Sequence, residues 1–232
     1  MPPFSTTTLL TILTLLILTT LATPSPPLPY AIFLLRAFGP LSPLQLLARH
    51  HLLTLHLPAR TLAPPSLART HTFASFLADF ALGAIDVLII PGGARARSPD
   101  LGPEVDFIRR VVGAGQVGHL VTICTGSGVA AQAGVLDGRR VTTNRGAWAT
   151  VGAVGPAVKW VAPACWAVDG NIWSPSGVSA GLDLIFAFIK GKYPDGPALA
   201  TKFSGLIEYQ PNTNSSHDPW SGYFNIPTPN QL

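Results

Sequence analysis

Cys124 closes the apolar run 119–123 and is followed by Thr125-Gly126-Ser127-Gly128. A thiol at the last position of a strand, at a sharp turn into a helix, has the geometry of a nucleophile elbow with sulfur in place of a serine hydroxyl. Gly126 and Gly128 permit the tight backbone and a close approach of the helix. The free N–H groups and positive dipole of that helix end point at the sulfur. They predict a lowered thiol pKa and a stabilised thiolate. A second strand, 86–90, stops at Pro91-Gly92-Gly93. The Thr125 N–H, with N–H groups of Gly92 or Gly93, then forms a candidate oxyanion site. The competing reading is that Cys124 is a small buried residue, the commoner fate of a free cysteine.

These two turns need a scaffold. Residues 30–35 are a continuous apolar run, the pattern of a strand buried on both faces. A short helix over 41–50, a strand over 51–57 and a proline-marked loop over 63–69 follow. Helix is expected at 104–112, where Val105, Ile108, Val111 and Val112 share a face. A small-residue helix runs from the cysteine turn to Leu136, and 140–143 reads as a strand. Within 166–173, Asp169-Gly170-Asn171 marks a tight turn between two short strands. Residues 178–189 form an amphipathic helix that contains Asp183, placed to cap or pair rather than to catalyse. Residues 195–208 give a last helix, and 209–232 an irregular tail. Strands alternating with helices imply parallel pairing and a sheet covered on both faces. Ligands in such sheets sit beyond the carboxyl ends of the strands, where both turns fall.

The chain has 232 residues, of which 11% are charged and 47% apolar, with a net charge of +4 and a mean hydropathy of +0.37. Disorder is excluded by this apolar content, and a disulfide scaffold by the presence of only two cysteines. Cations adjoin only at Arg109-Arg110 and Arg139-Arg140, so no basic stripe marks a nucleic-acid partner. From Leu9 to Ala22 the sequence is Leu, Ile, Thr and Ala alone, before Pro24-Ser25-Pro26-Pro27. That stretch is too short to span a bilayer but suits a secretory leader, with cleavage after Ala22. The expected organisation is a signal peptide over 1–22, one domain over 23–210 and a tail over 211–232. Secretion is the expected destination, and cytoplasmic location, with 9–21 an extra buried strand, is the alternative. Asn214-Ser215-Ser216 is a glycosylation acceptor only on the secretory route.

Four segments, DVLIIPGG (86–93), VTICTGSG (121–128), GVLDGRRVTTN (134–144) and VDGNIWSPSGVSAGLD (168–183), together resemble the ThiJ/PfpI family of glutamine-amidotransferase-like proteins. Gly39-Pro40-Leu41 and Thr70-His71-Thr72-Phe73 extend the resemblance across about residues 30–210. It implies a flavodoxin-like three-layer α/β/α sandwich with a mostly parallel central sheet and a cysteine nucleophile elbow. The branch it is most similar to is isonitrile hydratase-like, of fungal type. There the cysteine of Cys-Thr-Gly adds to an isonitrile carbon, through a thioimidate, before water releases a formamide. The resemblance also implies a small-molecule substrate, a homodimer, and neither cofactor nor metal.

Three departures from the family pattern stand out. The family's carboxylate before Gly-Pro-Leu is missing, through either a deletion of about six residues or replacement by Arg36. Its loss costs about 10²–10⁴ in rate if it serves as general acid/base. Asn144 stands where many relatives carry His, and can orient substrate but not act as a base. Cys165 stands where relatives often have Arg. A Cys124–Cys165 disulfide is disfavoured, because the two segments are not expected to come within bridging distance. Trp148 is a candidate wall of the pocket. His50, His51 and His56 lack a matching ligand set for a metal. Two alternatives to the hydro-lyase stay open: a glyoxalase- or deglycase-like enzyme for α-oxoaldehydes, and a non-catalytic redox-sensing or binding protein.

Overall fold

A computed structural model describes residues 30–32, 43–44, 46–47, 55–56, 58–59, 71–79 and 85–227. The expected leader, the loop over 63–69 and the segment of the missing carboxylate, Arg36 included, lie outside the described residues. No helix among the described residues is long and apolar enough to cross a membrane.

Six strands make the central sheet: β1 (Tyr30–Ile32), β2 (Leu55–His56), β5 (Ile85–Ile90), β6 (Val117–Thr122), β9 (Trp166–Asp169) and β10 (Ile172–Pro175). Two short ladders lie apart from it, β3 (Pro58–Ala59) with β4 (His71–Thr72), and β7 (Arg140–Val141) with β8 (Lys159–Trp160). The sheet order is β2-β1-β5-β6-β10-β9, and every pairing in it is parallel except β10 with β9. Counted without the antiparallel β9, the five parallel strands follow the 2-1-3-4-5 order of flavodoxin-type sheets. Thus the α/β reading holds, and Asp169-Gly170-Asn171 closes the antiparallel hairpin of β9 and β10, with Gly170 at φ 60°.

Alternation along the two central strands splits their side chains between two cores. Val87, Ile89, Val121 and Ile123 face one cluster, with Leu184, Ile185, Phe188 and Ile189 of α5 (Val178–Lys192) and Phe203 of α6 (Gly196–Leu206). Leu44 and Leu47, in the expected short helix, join it. Leu88, Ile90 and Leu120 face the other cluster. There they meet Phe76 of α1 (Phe73–Asp79), Phe107, Ile108 and Val111 of α2 (Gly102–Gly113), and Val129 and Ala130 of α3 (Gly126–Gln132). Burial on both faces explains the unbroken apolar runs in the sequence. A small helix, α4 (Trp148–Val154), packs against α3.

Residues 211–227, in the expected irregular tail, lie against the domain and contain one short helix, α7 (Pro219–Tyr223), whose first amides are capped by Asp218. Arg145 explains the docking. Its side chain and that of Asp218 are 3% and 1% exposed and meet at 2.6 Å.

Candidate functional site

The strands β5 and β6 pair in register, with Ile90 opposite Thr122, so Pro91-Gly92-Gly93 and the cysteine turn emerge side by side. Cys124 adopts φ 57°, a left-handed conformation uncommon for a residue with a side chain. Surrounding contacts hold it there. Its N–H donates to the Pro175 carbonyl at 3.2 Å. Its carbonyl accepts from the hydroxyls of Ser127 (3.0 Å) and Thr143 (3.2 Å), which also bond each other at 2.8 Å. A sparsely populated backbone fixed from several sides is the pattern found at functional sites. Two glycines allow the close packing. A Cβ on Gly126 would lie 2.2 Å from the Ile90 carbonyl oxygen, and one on Gly92 would lie 2.7 Å from the Thr125 nitrogen.

Around the Cys124 sulfur stand the Thr125 N–H and hydroxyl, the Asn144 side chain and, at longer range, the Arg97 guanidinium. Each favours thiolate, but burial outweighs them and pushes the Cys124 thiol above its ordinary value of 9.0. The lowered pKa expected from the helix end is therefore corrected. The sulfur packs against the apolar cluster under α5, and α3 is a helix of only seven residues. No carboxylate of the described residues is among the groups acting on this thiol.

The expected oxyanion site is also altered. Gly93 turns at φ 118° and donates its N–H to the Thr125 hydroxyl at 3.0 Å. That donor is engaged, so Gly93 braces Thr125 rather than facing a ligand. Gly92 presses against the same residue. Thr125 itself is 3% exposed, and its hydroxyl in turn donates to the Gly93 carbonyl at 3.4 Å. Asn144 does sit beside Cys124. Trp148 stands apart, its ring 5.0 Å from the Arg145 guanidinium carbon and edge-on to Trp160, and it does not line the neighbouring cleft.

That cleft, of about 430 Å³, is lined by Asn144, Cys165, Asp183, Asp218, Trp220 and Phe224 among others. Both cysteines are free. Cys124 bonds the Pro175 carbonyl, and the Ser176 N–H bonds the Cys165 carbonyl at 2.8 Å, so the cysteines flank β10. Two strand spacings, about 9–10 Å, separate their backbones, beyond the reach of a disulfide. Burial, then the nearby Asp183 carboxylate, pushes the Cys165 thiol up to about 11. Asp183 pairs as expected, accepting from the Tyr209 hydroxyl at 2.6 Å and the Asn212 N–H at 2.8 Å.

Arg145 and Asp218 were not evident as site residues in the sequence. The guanidinium donates to Asp218 Oδ2 at 2.7 Å through Nε, to Thr142 Oγ1 at 2.9 Å, to the Thr143 carbonyl at 3.0 Å and to the Ala164 carbonyl. It thus ties the cleft floor to the C-terminal segment. Among the described residues, no cluster of His, Cys, Asp and Glu is arranged to hold a metal ion.

Comparison with known proteins agrees with this geometry. Residues 68–191 match the DJ-1/PfpI family. Isonitrile hydratase of Pseudomonas putida is 34% identical over 135 residues, which cover 55% of this chain and 53% of that enzyme. The chain thus spans about half the length of the curated relative it matches. Among solved structures, an AraC family transcriptional regulator from Pseudomonas putida superposes with a TM-score of 0.60 at 20% identity. That match covers 77% of this chain and all of the other. Drosophila melanogaster DJ-1beta gives 0.60 at 15% identity, over 78% of this chain and 98% of its own. At such identities the structures speak to the fold alone. The family match covers more than half of the chain and includes both the Pro91-Gly92-Gly93 and the Cys124 turns: this protein belongs to the DJ-1/PfpI family.

Proposed function

We propose that the protein is a cysteine-dependent hydro-lyase that adds water to isonitriles or a similarly electrophilic carbon, with Cys124 as nucleophile. The observation that carries the reading is the Cys124 turn itself. It is a thiol at φ 57°, contacted by Thr125 and Asn144, in a chain 34% identical over 135 residues to an isonitrile hydratase. In the reaction, sulfur bonds to the terminal isonitrile carbon and the thiol proton passes to that carbon, giving a thioimidate. Water then adds its oxygen to the same carbon. One of its protons goes to nitrogen, the other returns to sulfur as the carbon–sulfur bond breaks, and an N-substituted formamide leaves. Thr125 and Asn144 hold the sulfur as charge develops on it, which offsets part of the penalty of burial.

Incubation of the purified chain with cyclohexyl isonitrile tests this. Formation of N-cyclohexylformamide, abolished in Cys124→Ala, is the expected result. No product from folded wild-type protein refutes the reading. A second reading is favoured by the sequence, which has no Asp or Glu before Asp79 to supply a carboxylate at the sulfur. On it the protein keeps the fold as a binding or redox-sensing member. Conversion of Cys124 to sulfinic acid by peroxide, without formamide production, is its signature.

A further inference from the structure

Two carboxylates line the cleft beside Asn144, and they differ in how fully they are paired. Asp218 is saturated: Oδ2 accepts from Arg145, the Ser221 hydroxyl (2.5 Å) and the Ala164 N–H (3.1 Å), and Oδ1 accepts from the Trp220 and Ser221 amides. Asp183 is not. It is 5% exposed, and its Oδ1 accepts from the Tyr209 hydroxyl and the Asn212 N–H, whereas Oδ2 accepts from the Cys165 thiol at 3.8 Å. A thiol is a weak donor, and no cation pairs with this carboxylate among the salt bridges of the described residues. Asp is seldom buried to this degree without a cationic partner. The under-satisfied oxygen belongs to a residue of the cleft wall, and Trp220 and Phe224, 58% and 45% exposed, stand at the same cleft.

We propose that this cleft binds a small molecule carrying an ammonium group, with Asp183 Oδ2 as the counter-charge and Trp220 and Phe224 against the apolar body. The far end of the ligand points to Asn144 and the Cys124 turn. That last part, which makes the ligand a substrate, rests on the hydro-lyase reading, whereas the ammonium site does not. Asp183 also borders a second cleft of about 630 Å³, but Lys190 lines that one and opposes a cation there. Arg145 does not compete, because Asp218 neutralises it.

Benzylamine, protonated at neutral pH, and neutral benzyl alcohol are matched probes. Calorimetric titration of the full chain is expected to show benzylamine bound roughly tenfold or more tightly, the scale of a charge-assisted hydrogen bond. Asp183→Asn, which keeps an acceptor for Tyr209 and Asn212, is expected to remove the preference. Equal affinities in the wild type, or a preference that survives in folded Asp183→Asn protein, overturn the proposal. Should that variant fail to fold, an NMR titration of the wild type decides. Benzylamine must shift the Asn212 amide and the Trp220 indole N–H, and unmoved signals overturn the site. Intact amine preference without formamide production refutes the hydro-lyase reading and leaves the ammonium site standing.

Discussion

Replacing Asp218 by Ala removes the counter-charge of a guanidinium whose side chain is 3% exposed. The other acceptors of Arg145 are a hydroxyl and two carbonyl oxygens, all uncharged. Breaking a buried pair from one side leaves an uncompensated charge and costs about 3–5 kcal/mol. The same change uncaps α7 and frees the Ala164 N–H, so the loss is concentrated in the segment that walls the cleft. Urea unfolding of the variant is expected to give a loss of that size. Limited proteolysis is expected to cut within 211–227 well before the core. A double replacement, Arg145→Met with Asp218→Leu, removes both charges and is expected to cost less than Asp218→Ala alone. A loss below about 1 kcal/mol in Asp218→Ala, with the C-terminal segment still protected, would show that the pair does not hold that segment. Acid acts on the same latch. Burial raises the Asp218 carboxyl, but Ser221 and Arg145 outweigh it and hold the group below its ordinary value of 3.8. Its contribution is therefore present above that value and lost as pH falls through the lower, folded one.

Other outcomes are as definite. Burial pushes the Asp86 carboxyl, whose Oδ2 has no hydrogen-bond partner among the described residues, up to about 6. A raised carboxyl stabilises the fold only at low pH, and this contribution is lost as pH rises from 3.8 through about 6. Asp86→Asn is thus expected to stabilise the protein at pH 8, by about 1 kcal/mol once solvent screening of this half-buried group is allowed for, and hardly at pH 3, measured by urea unfolding. Gly126→Ala drives a Cβ into the Ile90–Pro91 backbone, which cannot swing aside as a side chain could. Loss of about 3 kcal/mol or more and of Cys124 reactivity is expected from denaturation and alkylation assays. If residues 1–22 are a secretory leader, expression in a eukaryotic host yields medium-borne protein beginning at Thr23, read by N-terminal sequencing.

Much of the scaffold was legible because its signals are local. The apolar runs ending in Pro91-Gly92-Gly93 and Cys124-Thr125-Gly126 mark strands buried on both faces. Their parallel pairing brings the two turns together, as the topology requires. The position of Asn144 beside the sulfur followed from the family resemblance. What escaped the sequence depends on distance along the chain or on depth. Arg145 and Asp218 are 73 residues apart, and neither has a flanking pattern that announces a partner. Proline-rich, polar 209–227 reads as loop because its anchors, Asp218 and Tyr209, act through single side-chain contacts. The direction of the Cys124 shift turns on how much burial opposes three nearby donors, a balance that residue types do not reveal. Gly93 was misassigned for a related reason, because its N–H has a partner 32 positions ahead.

The chemistry proposed for Cys124 is most directly examined by trapping its covalent intermediate. Wild-type protein would be mixed with cyclohexyl isonitrile, quenched in acid within the first turnover and mapped by peptide mass spectrometry. The account predicts a mass increase of one isonitrile on the peptide containing Cys124, with the Cys165 peptide unmodified. An unmodified Cys124 peptide in samples that nonetheless produce formamide would contradict it.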